Sequence, residues 1–477
     1  MAGPQSDALV IFGVTGDLAY KKIFPALQSM ARHGDLTMPV IGSGRHDLPL
    51  DQLRDHARQS LTEHGGVDED AFAILSRQLR YAAVDATKPE TFANLKEALG
   101  GARHPLYYLA IPPSAFEATV TGLGQSGLAN GARVVVEKPF GHDLKSAQEL
   151  NRTLRGVFPE DAIFRLDHYL GKEPVQNLVY FRYANSFLEP IWNRNYIDNV
   201  QITMAEAFGV EGRGAFYEEA GAIRDVVQNH LLQVTALLAM DPPLGGDHEA
   251  LRDEKSQVFK AIRPLTPTHV VRGQFAGYRD EAGVAPDSRV ETFAAVRLHI
   301  DNWRWSGVPF YIRAGKNLPV TATEVLVELK SPPANVFHDP HDAHPNYFRF
   351  QLSPHVVVAL GARTKRPGEQ MRGEAGELVA QHYPADELEP YERLLGDAMR
   401  GDMTLFTRED TIENAWRIVD PVLDQPTPLY QYDPQTWGPS EADTLIAGDG
   451  GWHTPTLPPT PPMKTQAAAQ QQAPAAG

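Results

Sequence analysis

The 477-residue sequence contains no cysteine. Disulfides, thiolate nucleophiles and cysteine-ligated metals are therefore excluded from its chemistry. Long apolar runs are also missing: no window approaches the roughly 18 uninterrupted apolar residues that a membrane span requires. The opening residues, MAGPQSDALVIFG, lack a basic stretch followed by an apolar signal core. That absence predicts a cytoplasmic protein with no membrane partner. Basic residues are in deficit, 44 Lys and Arg against 60 Asp and Glu, for a formal net charge of −16. Such a surface repels a phosphate backbone and argues against nucleic acid as a partner. A small phosphorylated molecule is not excluded, because a pocket can be locally basic on an acidic protein.

What is present reads as a two-domain globular enzyme. Hydrophobic residues make up 42% and charged residues 22%, the usual balance for a packed soluble fold. The chain is also longer than one hydrophobic core usually fills. In the first third, short apolar runs alternate with amphipathic stretches: Ala8–Gly13, Met38–Gly44, Leu79–Asp85, His104–Pro113 and Ala132–Phe140 as strands, and Leu18–Gly34 and Leu53–His64 as helices. Near-continuous apolar strands separated by helices indicate a parallel sheet covered on both faces. The fold class expected is α/β plus α+β, with a Rossmann-type doubly wound domain over 6–167. Beyond it, Val200–Phe208, Glu291–Asp301, Thr323–Lys330, Tyr347–Pro354 and His355–Ala362 follow one another as strands, some alternating in polarity. They predict an α+β domain over 168–455 with a large, mostly antiparallel sheet that could serve self-association. The Pro-, Ala- and Gln-rich stretch 456–477 reads as a disordered tail.

The turn after the first strand, IFGVTGDLAYKK, places Gly13, Gly16 and Ala19 where small residues let a pyrophosphate approach a helix N-terminus. Ile11 stands at the usual first glycine, so the match to G-x-G-x-x-G is partial. Candidate cofactor positions here are Gly13, Thr15, Gly16, Asp17 and Leu18, joined by Arg45, Pro112 and Lys138. The second strand ends in VIGSGRHDL. Where NAD-binding domains tend to carry an acidic residue, Arg45 offers a guanidinium suited to a ribose 2′-phosphate. NADP is the expected cofactor, and Asp47 keeps NAD open as a second choice. Lys21 and Lys22 are further candidates to supplement the phosphate charge.

Three segments carry chemistry. EKPFG (Glu137–Gly141) ends a strand of the nucleotide domain, where open α/β sheets place their ligands. The Lys138–Pro139 bond is a candidate for cis or for a cis/trans hinge. RLDHYLGKE (Arg165–Glu173) packs an acid, an imidazole, a phenol and an ammonium into nine residues. Asp225 and His230 lie in an expected helix, AIRDVVQNHLLQVTALLAM. Residues five apart on an α-helix point about 140° from each other, so Asp225 is poorly placed to orient His230. A general base at His230 needs its carboxylate from elsewhere, and Asp167 is the candidate.

The segments GVTGDLAYKK, YYLAIPPSAFE, VVVEKPFG, RLDHYLGKEPVQN, PIWNRNYI, FGVEGRGAFYEEAGAIRDVVQNHLLQ and VPFYIRAGK resemble, in order, those of glucose-6-phosphate dehydrogenases. The likeness runs from Ala8 to about Trp452 and includes YERLL, ENAWRI and WGPSEAD. It implies oxidation of glucose 6-phosphate to 6-phosphoglucono-1,5-lactone with hydride transfer to NADP, the first oxidative step of the pentose phosphate pathway, without a metal. It also implies a homodimer or homotetramer. By the same resemblance His230 looks like the general base and Asp167 its dyad partner. His168, Tyr169 and Lys172 look like the phosphate site, and Glu206 and Asp225 like acceptors for sugar hydroxyls. Lys138 and Lys316 look like pocket lysines, and Gln351 like a further pocket glutamine.

One position departs from the family pattern. Typical members carry a second basic residue five positions beyond the lysine of R-x-G-K; here that position is Thr321. A hydroxyl supplies no charge, and a charge-assisted bond is worth about 1.5–3 kcal/mol, or one to two orders of magnitude in affinity. Another aldose or aldose phosphate therefore stands as the alternative substrate. A regulatory paralogue without turnover is a third reading, opposed by the complete set Asp167, His168, Lys172 and His230.

Overall fold

The computed structural model describes residues 4–246, 248–333, 336–337, 345–368, 371–382, 389–423 and 427–455. The expected tail, 456–477, lies outside the described residues. Six strands form the first sheet: β1 (Ala8–Phe12), β2 (Val40–Gly44), β3 (Leu79–Ala83), β4 (Pro105–Leu109), β5 (Arg133–Glu137) and β6 (Ile163–Leu166). All neighbours run parallel, in the order β3-β2-β1-β4-β5-β6. The order reverses at β1, so a crevice opens between the C-terminal ends of β1 and β4. Both faces are buried. Val10, Phe12, Tyr107, Val134 and Val136 pack on one side, while Leu9, Ile11, Tyr108 and Val135 pack on the other. Two-sided burial explains why these strands read as unbroken apolar runs rather than alternating ones.

The second sheet has nine strands: β7 (Ile197–Ala205), β8 (Val270–Phe275), β9 (Phe293–His299), β10 (Pro309–Gly315), β11 (Ala322–Leu329), β12 (Tyr347–Ser353), β13 (Val356–Lys365), β14 (Gly373–His382) and β15 (Leu429–Tyr432). Their order is β14-β13-β12-β11-β7-β10-β9-β8-β15. It is mostly antiparallel, as expected, but β7 with β10 and β8 with β15 are parallel. The parallel pair β7–β10 has a consequence for the site: Glu206 and Lys316 leave the sheet at the same end. The sequence reading did not single out β6, β8, β10, β14 or β15. Strand β6 has four residues and runs into the RLDHYLGKE motif. β14 lies at a sheet edge, where the polar sequence GEAGELVAQH needs no continuous apolar face.

The chain returns to the first sheet late. The helix Pro390–Arg400 sets Leu394, Leu395, Ala398 and Met399 into the apolar layer under β1 and β6. Met399 O accepts from the Ser6 N–H at 2.8 Å, and Thr407 N–H donates to Arg165 O at 3.0 Å. This late segment brings Tyr391 to the C-terminal end of the first sheet.

Candidate active site

The cofactor turn follows from local backbone demands. Gly13 adopts φ +79°, and a Cβ there would lie 2.2 Å from the carbonyl oxygen of Ala110. Only glycine combines the left-handed conformation with that close approach. Its N–H donates to Ser43 O at 2.9 Å, so the turn is tied to the end of β2. Thr15 and Asp17 are exposed at the start of the helix, Gly16 and Leu18 partly so, and Pro112 is exposed just beyond β4. The helix opens through a π-turn, Ala19–Ile23, before continuing as α-helix to His33. Lys21 pairs with Asp17 at 2.8 Å instead of standing free for a phosphate. Arg45 is exposed and forms no hydrogen bond or ion pair among the described residues. These features suit a dinucleotide: a cradle that a Cβ would fill, a helix N-terminus, and an unpaired guanidinium at the end of β2.

The first and second sheets meet around His230. Its helix begins after Gly221 (φ +64°), where the carboxylate of Glu291 accepts from the Ile223 N–H at 3.1 Å. Arg272 holds that carboxylate at 3.2 Å, which fixes the helix start. From Ile223 to Leu231 the turns are π, not α. The expectation of a 140° separation between Asp225 and His230 assumed an α-helix. In an i→i+5 ladder, residues five apart return to nearly the same face, and Asp225 acts electrostatically on the His230 ring. Asn229 supports the wide turn, accepting from the His230 N–H at 2.6 Å and donating to Arg224 O at 3.1 Å.

Asp167 is nevertheless the carboxylate that meets the imidazole. It stands just past β6, with Oδ1 2.5 Å from His230 Nδ1, and both residues are buried. Oδ1 also accepts from the Tyr169 N–H at 3.0 Å. On the other edge of the ring, Lys138 Nζ lies 3.0 Å from Nε2. A carboxylate only accepts and an ammonium only donates, so the contacts assign the proton to Nδ1 and leave Nε2 as an acceptor. Burial pulls the His230 pKa below the ordinary histidine value, and Asp167 restores it only in part. Burial alone would raise the Asp167 carboxyl, but His230 beside it holds it well below the usual carboxylate range, with smaller help from His168 and Lys138. The ring is thus neutral near pH 7 with a basic nitrogen facing the pocket.

Lys138 follows β5, and its peptide bond to Pro139 is cis. Besides His230, its ammonium donates to the backbone oxygen of Asp225 at 2.9 Å and lies 3.4 Å from that residue's carboxylate. Lysines 138 and 316 keep the Asp225 carboxyl lowered against the opposing effect of burial. Across the pocket, Lys316 Nζ donates to Glu206 at 2.5 Å, as the parallel strands β7 and β10 dictate.

His168 sits edge-on to His230, with ring centroids 4.8 Å apart. Burial above all, then the field of His230, drive its pKa down to about 3, so it enters the pocket as a neutral donor or acceptor. Tyr169 stacks on His230 at 5.0 Å, and Lys172 Nζ lies 4.3 Å above the Tyr169 ring. Both amide atoms of Gln351 are buried without a hydrogen-bond partner among the described residues. Groups of that kind are costly unless a ligand completes them. Thr321 does not join them: its hydroxyl accepts from the Ala207 N–H at 3.0 Å. It therefore shapes the strand end beside Glu206. Asp167, His168 and His230 each present a ligand atom within 4.8 Å of the others, a set that could hold a divalent ion. The Lys138 ammonium against Nε2 opposes further positive charge at that point.

Sequence reasoning missed a second buried cluster. Glu137, the residue before Lys138, receives hydrogen bonds from the hydroxyls of Tyr108 and Tyr391. Burial raises its carboxyl to about 7, against the opposing effects of Tyr108 and Lys138. Tyr391 in turn lies parallel to His168, 6.2 Å away and 9° from coplanar. Glu137 and Tyr391 sit in the motifs EKPFG and YERLL, but no spacing rule connects positions 254 residues apart in the chain.

Comparison with known proteins finds relatives that match nearly the whole described chain. Residues 10–177 match the family described as glucose-6-phosphate dehydrogenase, NAD binding domain, and residues 179–453 match its C-terminal domain. Glucose-6-phosphate 1-dehydrogenase 1 of Mycobacterium tuberculosis is 47% identical over 96% of this chain and 98% of its own. The crystal structure of glucose-6-phosphate 1-dehydrogenase from Mycobacterium avium superposes with a TM-score of 0.90 at 47% identity, covering 96% of this chain and 100% of that one. A glucose-6-phosphate dehydrogenase in complex with its substrate glucose 6-phosphate gives 0.87 at 35% identity, over 95% of this chain and 100% of that one.

Proposed function

The chain belongs to the glucose-6-phosphate dehydrogenase family, and from that premise we propose that it oxidises glucose 6-phosphate at the anomeric carbon to 6-phosphoglucono-1,5-lactone with NADP as cofactor. The observation that carries the reading is the His230 ring, held between Asp167 at Nδ1 and Lys138 at Nε2 beside the C-terminal ends of β5 and β6.

The bound nicotinamide supplies the acceptor for a hydride leaving the anomeric carbon. Everything else falls to the chain. Once the anomeric hydroxyl displaces the Lys138 ammonium from His230 Nε2, that nitrogen accepts its proton, and Asp167 stabilises the imidazolium that forms. The oxygen's lone pair becomes the lactone carbonyl as the hydride departs, so the substrate loses one proton and one hydride. Lys138 and Lys316 hold the reacting oxygen and the sugar, while Glu206 and Asp225 accept from its hydroxyls. His168, Tyr169 and Lys172 take the phosphate, and Gln351, whose amide has no partner among the described residues, completes the pocket wall. Gly13, Thr15, Gly16, Asp17, Leu18 and Pro112 line the dinucleotide, and Arg45 favours NADP over NAD through the 2′-phosphate. We assign residues 6–167 to the cofactor and 168–455 to the substrate and to assembly as a dimer or tetramer.

Purified protein should reduce NADP, and NAD less efficiently, when given glucose 6-phosphate, and His230→Asn should abolish the signal. Absence of any His230-dependent reduction would overturn the assignment. Thr321 supports a second reading, in which another aldose or aldose phosphate is preferred, because its hydroxyl is engaged by Ala207 and adds no charge. A substrate panel decides between them through kcat/KM.

A further inference from the structure

We propose that Tyr81 is a positioning residue for cofactor selectivity: its phenol pins the loop that presents Arg45 and so favours the 2′-phosphorylated dinucleotide. The inference rests on the reading of Arg45 given above and adds a residue that neither motif nor spacing singles out.

Tyr81 lies in β3 opposite Gly42 of β2. Its side chain runs toward the C-terminal end of that strand, where the hydroxyl donates to the carbonyl oxygen of His46 at 2.5 Å. His46 directly follows Arg45. Gly44 makes this path possible, since a Cβ at that position would stand 2.9 Å from the phenol oxygen. The loop is held from below as well, by the Val84 N–H donating to Gly44 O at 2.8 Å. Arg45 thus rises from a short segment tied on both sides to β3, while its guanidinium forms no hydrogen bond or ion pair among the described residues. The phenol is half-buried, and burial together with the negative charge of Asp47 raises its pKa, so it stays a protonated donor throughout the working range.

The physical argument is preorganisation. A guanidinium on an untethered loop loses backbone freedom when it grips a phosphate, and that loss subtracts from affinity. Tethering the loop in advance removes the loss for a ligand that uses Arg45. A dinucleotide without the 2′-phosphate makes no such contact and gains nothing. The tether therefore acts on the difference between the two cofactors and not on binding in general.

The test uses the full-length enzyme and two fragments, adenosine 2′,5′-bisphosphate and 5′-AMP, bound by calorimetry, with KM for NADP and NAD alongside. In Tyr81→Phe the bisphosphate should bind about three- to tenfold more weakly, as expected for one hydrogen bond. Binding of 5′-AMP should stay within about twofold, and the KM ratio of NADP to NAD should rise in parallel. Gly44→Ala, which displaces the phenol from the other side, should reproduce the selective loss. Arg45→Ala separates the two levels of the argument. If it leaves bisphosphate binding unchanged, the Arg45 reading fails and takes the inference with it. If Arg45→Ala weakens the bisphosphate but Tyr81→Phe binds it as wild type does, the inference alone is overturned. An equal loss for both fragments in Tyr81→Phe also overturns it, because the phenol would then serve the fold and not the phosphate.

Discussion

Replacing Asp167 by Asn tests the proton-transfer reading at its centre. The carboxylate is 2% exposed and its Oδ1 lies 2.5 Å from His230 Nδ1. In the ground state the ring is neutral, so substrate binding should change little and KM should move by less than about threefold. In the transition state the ring takes a proton, and the variant leaves a buried imidazolium without its partner. Breaking a buried ion pair costs about 3–5 kcal/mol. At about 1.4 kcal/mol per factor of ten, kcat should fall by about 10²–10⁴. The sign of the pH effect follows from the same contact. Asp167 raises the proton affinity of His230 against the effect of burial. Removing its charge lowers the His230 pKa further, so the acid limb of the kcat/KM profile should move to lower pH while the plateau falls. Initial rates of nicotinamide reduction across pH, with far-UV circular dichroism as a check on folding, measure both effects. A folded Asp167→Asn enzyme with kcat within about threefold of wild type, or with an unmoved acid limb, would refute the reasoning.

Three further outcomes are expected. Thr321→Lys should lower KM for glucose 6-phosphate by about tenfold if a second cation aids the phosphate. Thr321→Val, which removes only the bond to Ala207, should raise KM through a displaced Glu206 with kcat near wild type; steady-state kinetics separate the two. Gly13→Ala forces a Cβ to within 2.2 Å of Ala110 O at a positive φ. It should lose dinucleotide binding by calorimetry and lower the thermal midpoint by several degrees, whereas Gly34→Ala, also at positive φ but with open space, should retain binding. Acid should destabilise the fold early. His168 has a folded pKa of about 3 against about 6.5 when unfolded. Its unfolded form binds the proton first, so its contribution is complete above pH 6.5 and is lost as pH falls toward 3. His230 acts in the same direction. Urea unfolding between pH 7 and pH 5 should show decreasing stability, with a shallower slope in His168→Asn.

Much of the site was legible in the sequence because its chemistry is concentrated in short segments. Five of the six first-sheet strands were recoverable from apolar runs, because two-sided burial favours apolar residues along them; β6, four residues long with Arg165 inside it, was not. Asp167, His168, Tyr169 and Lys172 fall within six residues, and local motif reading reaches that far. The exclusion of Asp225 as the orienting group led to the carboxylate that meets the ring, but from an imperfect premise. It assumed α-helical geometry, whereas the turn around His230 is π and is supported by the Asn229 side chain. No one-dimensional period signals a short widened segment inside a helix. Thr321 stands at the family's second basic position without a charge, and its hydroxyl is committed to the Ala207 N–H. Strand pairing between β7 and β11 brings those positions together, and the sequence does not state which strands pair.

The sequence by itself determined the class of chemistry: a dinucleotide turn, an imidazole base with a separate carboxylate, and pocket lysines, in a chain with no thiol. Short-range spacing suffices for the turn, which depends on backbone geometry over one or two turns, whereas the family resemblance implied the base, its carboxylate and the lysines. Only the tertiary structure decided how the groups act on one another. It placed Lys138 against Nε2 and Asp167 against Nδ1, which assigns the tautomer. It brought Tyr391 onto His168 and Glu137 through a helix that returns to the first sheet late in the chain. It also laid Tyr81 beneath the loop of Arg45. Hydrogen bonding and charge interaction act over a few ångströms in space, and distance in space is set by packing, not by distance along the chain.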